Sequence, residues 1–211
     1  TAGDYITSDV DGLTVSGTVT GTVNGDIVQV STDNGATWAA ATLTGNAWSF
    51  TDAATRSDGD TATYQVRVLD SIGNDTGLNT SQVVTFHTSA PATPTAPTSY
   101  NDNVGAITNA ASTAAVTDDT TPGLNVGTGL TDTPKLYVNG SAVAATYDAV
   151  AGTLTPDAAL ADGAQALTYT LTDVAGNESA QSGPLNLTVD TSGSNGSNDT
   201  ALTGVAVTGI T

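Results

Sequence analysis

The chain has 211 residues, enough for one large or two ordinary domains, with 3 Lys and Arg against 21 Asp and Glu and a formal net charge of -18. That field repels nucleic acid and anionic lipid, and no apolar run is long enough for direct membrane insertion, so neither nucleic acid nor the bilayer core is a partner. Cysteine is absent, which excludes disulfides and thiolate or zinc-thiolate chemistry.

Every acid except Glu178 is Asp, the short carboxylate suited to turns and to loops that hold hard cations. Met is absent and the first residue is Thr1, from which we expect an internal piece of a longer polypeptide, with any export signal or anchor outside it.

No window carries apolar residues at helical spacing over three turns, whereas short alternating runs recur, so the class is all-β. In chain order the first unit is expected to hold strands near Tyr5–Thr7, Leu13–Thr20, Asp26–Ser31, Thr37–Leu43, Ala47–Phe50, Ala62–Leu69 and Ser81–His87. Seven short strands predict an immunoglobulin-like sandwich. The second unit repeats the plan through Ala106–Ile107, Thr121–Val126, Lys135–Val138, Ser141–Tyr147, Thr153–Thr155, Ala164–Thr172 and Leu185–Asp190.

Landmarks recur in order. Leu69-Asp-Ser-Ile-Gly-Asn-Asp-Thr76 returns as Thr172-Asp-Val-Ala-Gly-Asn-Glu-Ser179, and Asp58-Gly59 returns as Asp162-Gly163. Ser8-Asp9-Val-Asp11 is matched with Thr117-Asp-Asp-Thr-Thr-Pro122. The expected organisation is two tandem immunoglobulin-like β-sandwich domains, 1–88 and 101–191, joined by a Pro-rich linker over 89–100. Pro91, Pro94 and Pro97 set that linker in an extended, stiff backbone. Residues 192–211 form a flexible stretch followed by Leu202–Ile210, the first strand of a third unit or a strand for an exposed sheet edge.

The second unit's motifs, Asp102-Asn-Val-Gly, Thr117-Asp-Asp-Thr-Thr-Pro, Val138-Asn-Gly, Ala159-Leu-Ala-Asp-Gly163, Leu171 to Ser179 and Val189-Asp-Thr191, resemble the bacterial Ig-like tandem repeats of giant cell-surface adhesins, including RTX-type adhesins. The resemblance covers nearly the whole second unit and is weaker in the first. It implies a secreted, cell-surface filament, active in attachment or biofilm formation, whose tandem domains project an adhesive tip and bind calcium at or near their junctions. Its partners are then neighbouring Ig-like domains of the same polypeptide. The first unit departs from the pattern in Ser31-Thr-Asp-Asn-Gly-Ala-Thr-Trp38 and in Trp48, which leaves open an adhesive module that binds a glycan, a peptide or a host protein.

Alternating strand direction sorts the acids by sandwich end. The chain start and the last hairpin turn group Asp102 with Asp173 and Asn177, and Asp4 with Asp70 and Asn74, at a leading end. The opposite, trailing end groups Asp118, Asp119, Asp162 and Asp190, and likewise Asp9, Asp11, Asp58 and Asp60. Like charges crowded where domains meet are unfavourable unless a divalent ion intervenes, and Ca2+ takes six to eight oxygen ligands of the kind Asp-rich turns offer. The alternative is that these Asp residues only cap turns. His87 stands where the second unit has Asp190, which removes a carboxylate from the first unit's trailing end.

Nothing supports catalysis. The sole histidine, His87, lies at a strand end; aromatics are too few to line a sugar-cleaving cleft; and the Gly-rich turns lack the strand-to-helix context of a phosphate loop. Trp38 and Trp48 are expected to fill or cap the first core, and Tyr64 and Tyr169 to be core or tyrosine-corner residues.

Overall fold

The computed structural model describes residues 5–23, 25–105 and 108–192. Among these the elements are β-strands and no helix occurs. The chain divides into two compact units, residues 1–89 with Val174–Asn177, and residues 90–173 with 178–211.

The first unit has one five-stranded sheet, in the order β1 (Ile6–Thr7), β8 (Asp75–Phe86), β7 (Thr61–Leu69), β3 (Ile27–Ser31) and β4 (Ala39–Ala40). Facing it is a three-stranded sheet of β2 (Leu13–Thr18), β6 (Ala47–Asp52) and β5 (Thr42–Thr44). Its core is small: Val30, Ala62, Tyr64, Val84 and Phe86 are buried, with Leu13, Val15, Trp48 and Phe50 packed on them. The period-2 pattern explains this directly, since Ala62, Tyr64 and Val66 of β7 face inward while Gln65 and Arg67 face out.

The second unit pairs β11 (Val116–Thr117), β18 (Leu185–Val189), β17 (Gly163–Thr172), β13 (Thr133–Val138) and β14 (Ser141–Val143) in one sheet. The other sheet runs β10 (Asn109–Ser112), β9 (Tyr100–Asp102), β12 (Gly123–Asn125), β16 (Thr153–Pro156) and β15 (Ala145–Asp148). Tyr100, Leu124, Leu136, Leu154, Leu167, Tyr169, Leu187 and Val189 form a single buried cluster between the sheets. In both units a two-residue strand runs parallel to the last one, β1 with β8 and β11 with β18, while the other ladders among the described residues are antiparallel. These are Ig-like sandwiches.

Two expected strands divide. Over Thr37–Leu43, β4 pairs with β3 in one sheet and β5 with β6 in the other, the crossing occurring at Ala41, whose amide still bonds Val28. Over Ser141–Tyr147 the same switch falls between β14 and β15. Alternation continues through the crossing, so period alone cannot reveal it. The strands β9, β10 and β11 were not expected, while the predicted strand at Ala106–Ile107, the carboxylate of Asp4 and the predicted Leu202–Ile210 strand lie outside the described residues. Within the expected linker, Pro97 is buried and Ala96 lies against Gly183, so that stretch packs on the second unit.

Candidate functional site

Among the described residues, two places are candidates for a site. The first is the end of the second unit at which β17 begins. Register places Gly163 beside Val189 and Thr117 beside Val189, so the turns at Asp162, Asp118–Asp119 and Asp190 collect there. Asp162 accepts from the Thr191 amide and hydroxyl at 3.2 and 3.0 Å, and Asp190 from the Ser192 amide and hydroxyl at 2.9 and 2.6 Å. The Ser192 hydroxyl and then its amide hold the Asp190 carboxyl below its ordinary range.

Asp102 belongs to the same end, which corrects its expected grouping with Asp173 and Asn177. The reason is that Asp102 closes strand β9 instead of preceding the first strand: the Thr117 hydroxyl donates to Asp102 Oδ2 at 3.1 Å, and the Val104 amide reaches Oδ1 at 3.4 Å. Asp173 follows Thr172 at the far end of β17, nine residues from Gly163, or about 30 Å at strand rise. Asn177 lies in the turn beyond it, which Thr172 and Glu178 close with a bridge.

Asp119 is 0% exposed and Asp102 8%. Asp119 accepts from the amides of Asn103 at 3.3 Å and Thr121 at 2.8 Å, and its own amide bonds the Thr117 hydroxyl. Asp118, half-buried, points its carboxylate at Gly105: a Cβ there would stand 2.3 Å from Oδ2, and φ is +77°. The one basic residue of this unit, Lys135, is engaged elsewhere, on Glu178 at 3.1 Å. Among the described residues no three acidic side chains converge closely enough to hold a metal ion.

The first unit reproduces the local turns without the burial. The Asp9 amide bonds the Thr7 hydroxyl at 3.1 Å, and the Asp11 amide bonds Asp9 Oδ1 at 3.3 Å, as around Asp119. The structural match is therefore Thr7-Ser8-Asp9 with Thr117-Asp118-Asp119, one residue from the sequence pairing. Asp9 and Asp11 are exposed. Asp58, the counterpart of Asp162, binds the Thr88 and Ser89 amides and the Ser89 hydroxyl, which together lower its pKa. Asp60 takes the Ser57 amide at 2.8 Å. Asp70 is bound by the side chain and amide of Asn74 and by the Ile72 amide, again with a lowered pKa.

The second place is the outer face of the first unit's larger sheet. Trp38, expected to fill or cap the core, is not among the residues packed on it, and the Arg67 guanidinium is stacked 4.2 Å from its ring centre. Arg67 Nε donates to Gln29 at 2.9 Å, and Gln65 donates to Asn34 at 2.8 Å. The supporting hairpin is tightly bonded: Asp33 accepts from the Ser31 hydroxyl, the Thr37 amide and the Thr37 hydroxyl, and the Thr37 hydroxyl bond leads the fall of its pKa to about 2. The Gly35 amide bonds Ser31, and the Trp38 indole donates to the Gly35 carbonyl at 3.1 Å. A cavity of about 310 Å³ opens beside this face, lined by Trp38, Gln65, Arg67, Asp75, Asn79 and Ser81 among others. Trp48 does what was expected of it and packs on the core, its ring against Gly17.

Sequence reasoning missed one buried polar cluster. Asp52, 6% exposed, accepts from Arg56 at 2.6 Å, the Tyr64 hydroxyl at 2.8 Å and the Ala54 amide at 3.0 Å. Tyr64 is thus a core residue whose hydroxyl bonds a side chain, whereas the hydroxyls of Tyr100 and Tyr147 reach backbone carbonyls, on Ala114 at 3.1 Å and Gly127 at 2.7 Å. An Asp four residues before an Arg was the available signal.

A search of curated proteins returns no match. Among solved structures, the chain is similar to fibronectin(III)-like modules of Clostridium thermocellum CbhA, at 10% identity and TM-score 0.38, with 85% of this chain and 86% of that one covered. It is also similar to Bacteroides ovatus SGBP-B of a mixed-linkage glucan utilization locus, in complex with a heptasaccharide, at 16% identity and TM-score 0.27. A tetra-tandem repeat in the extending region of a large adhesion protein is similar at 20% identity and TM-score 0.29. The chain covers 87% and 88% of its own length in these last two matches, and spans 42% and 46% of the partners. Residues 93–191, which hold every strand of the second sandwich from β9 to β18, match the model of the bacterial Ig-like domain family.

Proposed function

We propose that the chain is a calcium-stabilised structural segment, extender or near-tip, of a bacterial cell-surface adhesin, its Ig-like units spanning 1–88 and 101–191 and projecting adhesive domains away from the cell. The family match over 93–191 supports the module type. The observation that carries the calcium assignment is the burial of Asp102 and Asp119 in a unit whose one Lys is engaged on Glu178. Neutral amides and hydroxyls offset only part of the cost of taking two carboxylates out of water, so a bound cation relieves both.

The donors fit a hard ion: carboxylates, backbone carbonyls and water suit Ca2+, and irregular turns suit it better than Mg2+. Asp102 and Asp119 are the two carboxylates we assign to it, with backbone carbonyls and water to complete the set, because no third acidic side chain converges on them among the described residues. Calcium would supply charge neutralisation and rigidity, and no chemical step. RTX-type membership, secretion and a role in biofilm belong to this same reading.

Thermal melting decides it. Calcium added after chelation is expected to raise the midpoint of the second unit in the wild type and not in Asp119→Asn. If the midpoints of both units stay where chelation left them, the calcium assignment is wrong.

A further inference from the structure

We propose that the Arg67–Trp38 pocket of the first unit binds a carboxylated sugar, a uronic or sialic acid. This goes beyond the spacer reading and stands independently of it. Three Lys and Arg serve the whole chain against 21 acids. Arg56 is paired with Asp52 and Lys135 with Glu178, and His87 lies 3.9 Å from Asp58. Among the described residues Arg67 is the basic side chain with no carboxylate partner, although it is half-buried and carboxylates outnumber it so heavily. A guanidinium in that position keeps most of its five donors for a ligand.

The guanidinium is also held in place. Stacking on Trp38 and the Nε bond to Gln29 fix its plane, and the hairpin that carries Trp38 is tied down through Ser31, Asp33 and Thr37. Little ordering entropy is left for a ligand to bear. The cavity beside it, about 310 Å³, is at the small end of ligand pockets, with room for a sugar ring or two.

Its walls choose the ligand class. Cross-strand pairing sets Arg67 beside Asn79 and Gln65 beside Ser81, so amide and hydroxyl groups flank the guanidinium on one flat face. Asp75 lines the same cavity, its Oδ1 accepting the Gly77 amide. One cation with an acceptor carboxylate close by suits a ligand that carries a single carboxylate and several hydroxyls: the carboxylate takes the Arg67 fork, and hydroxyls donate to Asp75. An acidic peptide offers the carboxylate without the hydroxyls, and a polyanion is repelled by Asp75 and by the net charge of -18.

The test uses the full chain, 15N-labelled, with the two indole N–H signals of Trp38 and Trp48 as reporters, the Trp48 signal identified from Trp48→Phe. Galacturonic, glucuronic and N-acetylneuraminic acids are titrated, each against its methyl ester, together with hexaglutamate. At least one acid is expected to shift the Trp38 signal saturably in the millimolar range, its ester about tenfold more weakly or not at all. Arg67→Gln is expected to lose the response with both indole signals still dispersed, and Arg67→Lys to keep a weakened one. The proposal is overturned if none of the three acids shifts Trp38, if an ester binds as well as its acid, if Arg67→Gln binds like the wild type, or if hexaglutamate binds more tightly than the sugars.

Discussion

Replacing Asp52 by Asn tests how the first unit, with its small core, is held together. Asp52 is 6% exposed and accepts three hydrogen bonds, from Arg56, Tyr64 and the Ala54 amide, at 2.6 to 3.0 Å. The amide keeps the shape and part of the bonding but removes the charge, leaving an Arg56 side chain that is only 20% exposed with no counter-ion. Breaking a buried pair from one side costs about 3–5 kcal/mol. The solvent that still reaches Arg56, and its contact with the Phe86 ring at 5.5 Å, place Asp52→Asn at the low end, about 3 kcal/mol.

Both tryptophans lie in this unit, so tryptophan fluorescence, excited where tyrosine does not absorb, follows its unfolding alone in a urea titration. The midpoint should fall with the slope unchanged. The triple change Asp52→Leu, Arg56→Met, Tyr64→Phe replaces the cluster by apolar groups and should recover most of the loss, because the desolvation cost disappears with the charges. A loss under about 1 kcal/mol for Asp52→Asn, or a triple variant as unstable as the sum of its parts, refutes the reasoning. Acid gives a second check. Burial raises the Asp52 pKa, but the bonds from Arg56, Ala54 and Tyr64 outweigh it and leave the net value lowered. A lowered folded value means stability that is present above the unfolded pKa of 3.8 and lost as pH falls through the folded one.

Glu178 makes the same kind of prediction for the second unit. Its carboxyl is held at about 2 against 4.5, first by the Thr170 hydroxyl, then by Tyr137 and Lys135. Its contribution is therefore complete above pH 4.5 and lost between there and about 2. Because the side chain is a third exposed, the effect should stay below about 1 kcal/mol; Glu178→Gln should remove this step from the acid dependence of the Leu136 and Leu167 methyl signals, and an unchanged profile would contradict it. Gly17→Ala should cost about 1–3 kcal/mol, since the new Cβ would sit 2.8 Å from Trp48 Cζ2 across the β2–β6 ladder. A Trp48 emission spectrum and urea midpoint equal to wild type would show that the ring gives way freely.

How far the chain could be read without coordinates differs from residue to residue. Alternation in Ala62–Leu69 and Ala164–Thr172 marks strands because side chains on a pleated sheet repeat every two residues whatever their partners. Asp58 and Asp162 are recognisable as one repeated device, and the structure finds both tying down the segment after the last strand, because an Asp-Gly turn presents its carboxylate to nearby amides by local geometry alone. Asp102 is different. Whether it opens or closes a strand depends on Tyr100 pairing with Leu124 and Ser112, contacts 24 and 12 residues away, and only that pairing carries it to Asp119. Trp38 likewise looks like core material until the Gln29–Arg67 register puts a guanidinium against its ring on the solvent face.

Local pattern thus settled the all-β class, the turns and the order of landmarks, since these depend on neighbours in the chain. Which sheet each half of Thr37–Leu43 joins, which end Asp102 occupies and which face Trp38 takes were decided in three dimensions, because each depends on strand pairing and register between residues distant in sequence.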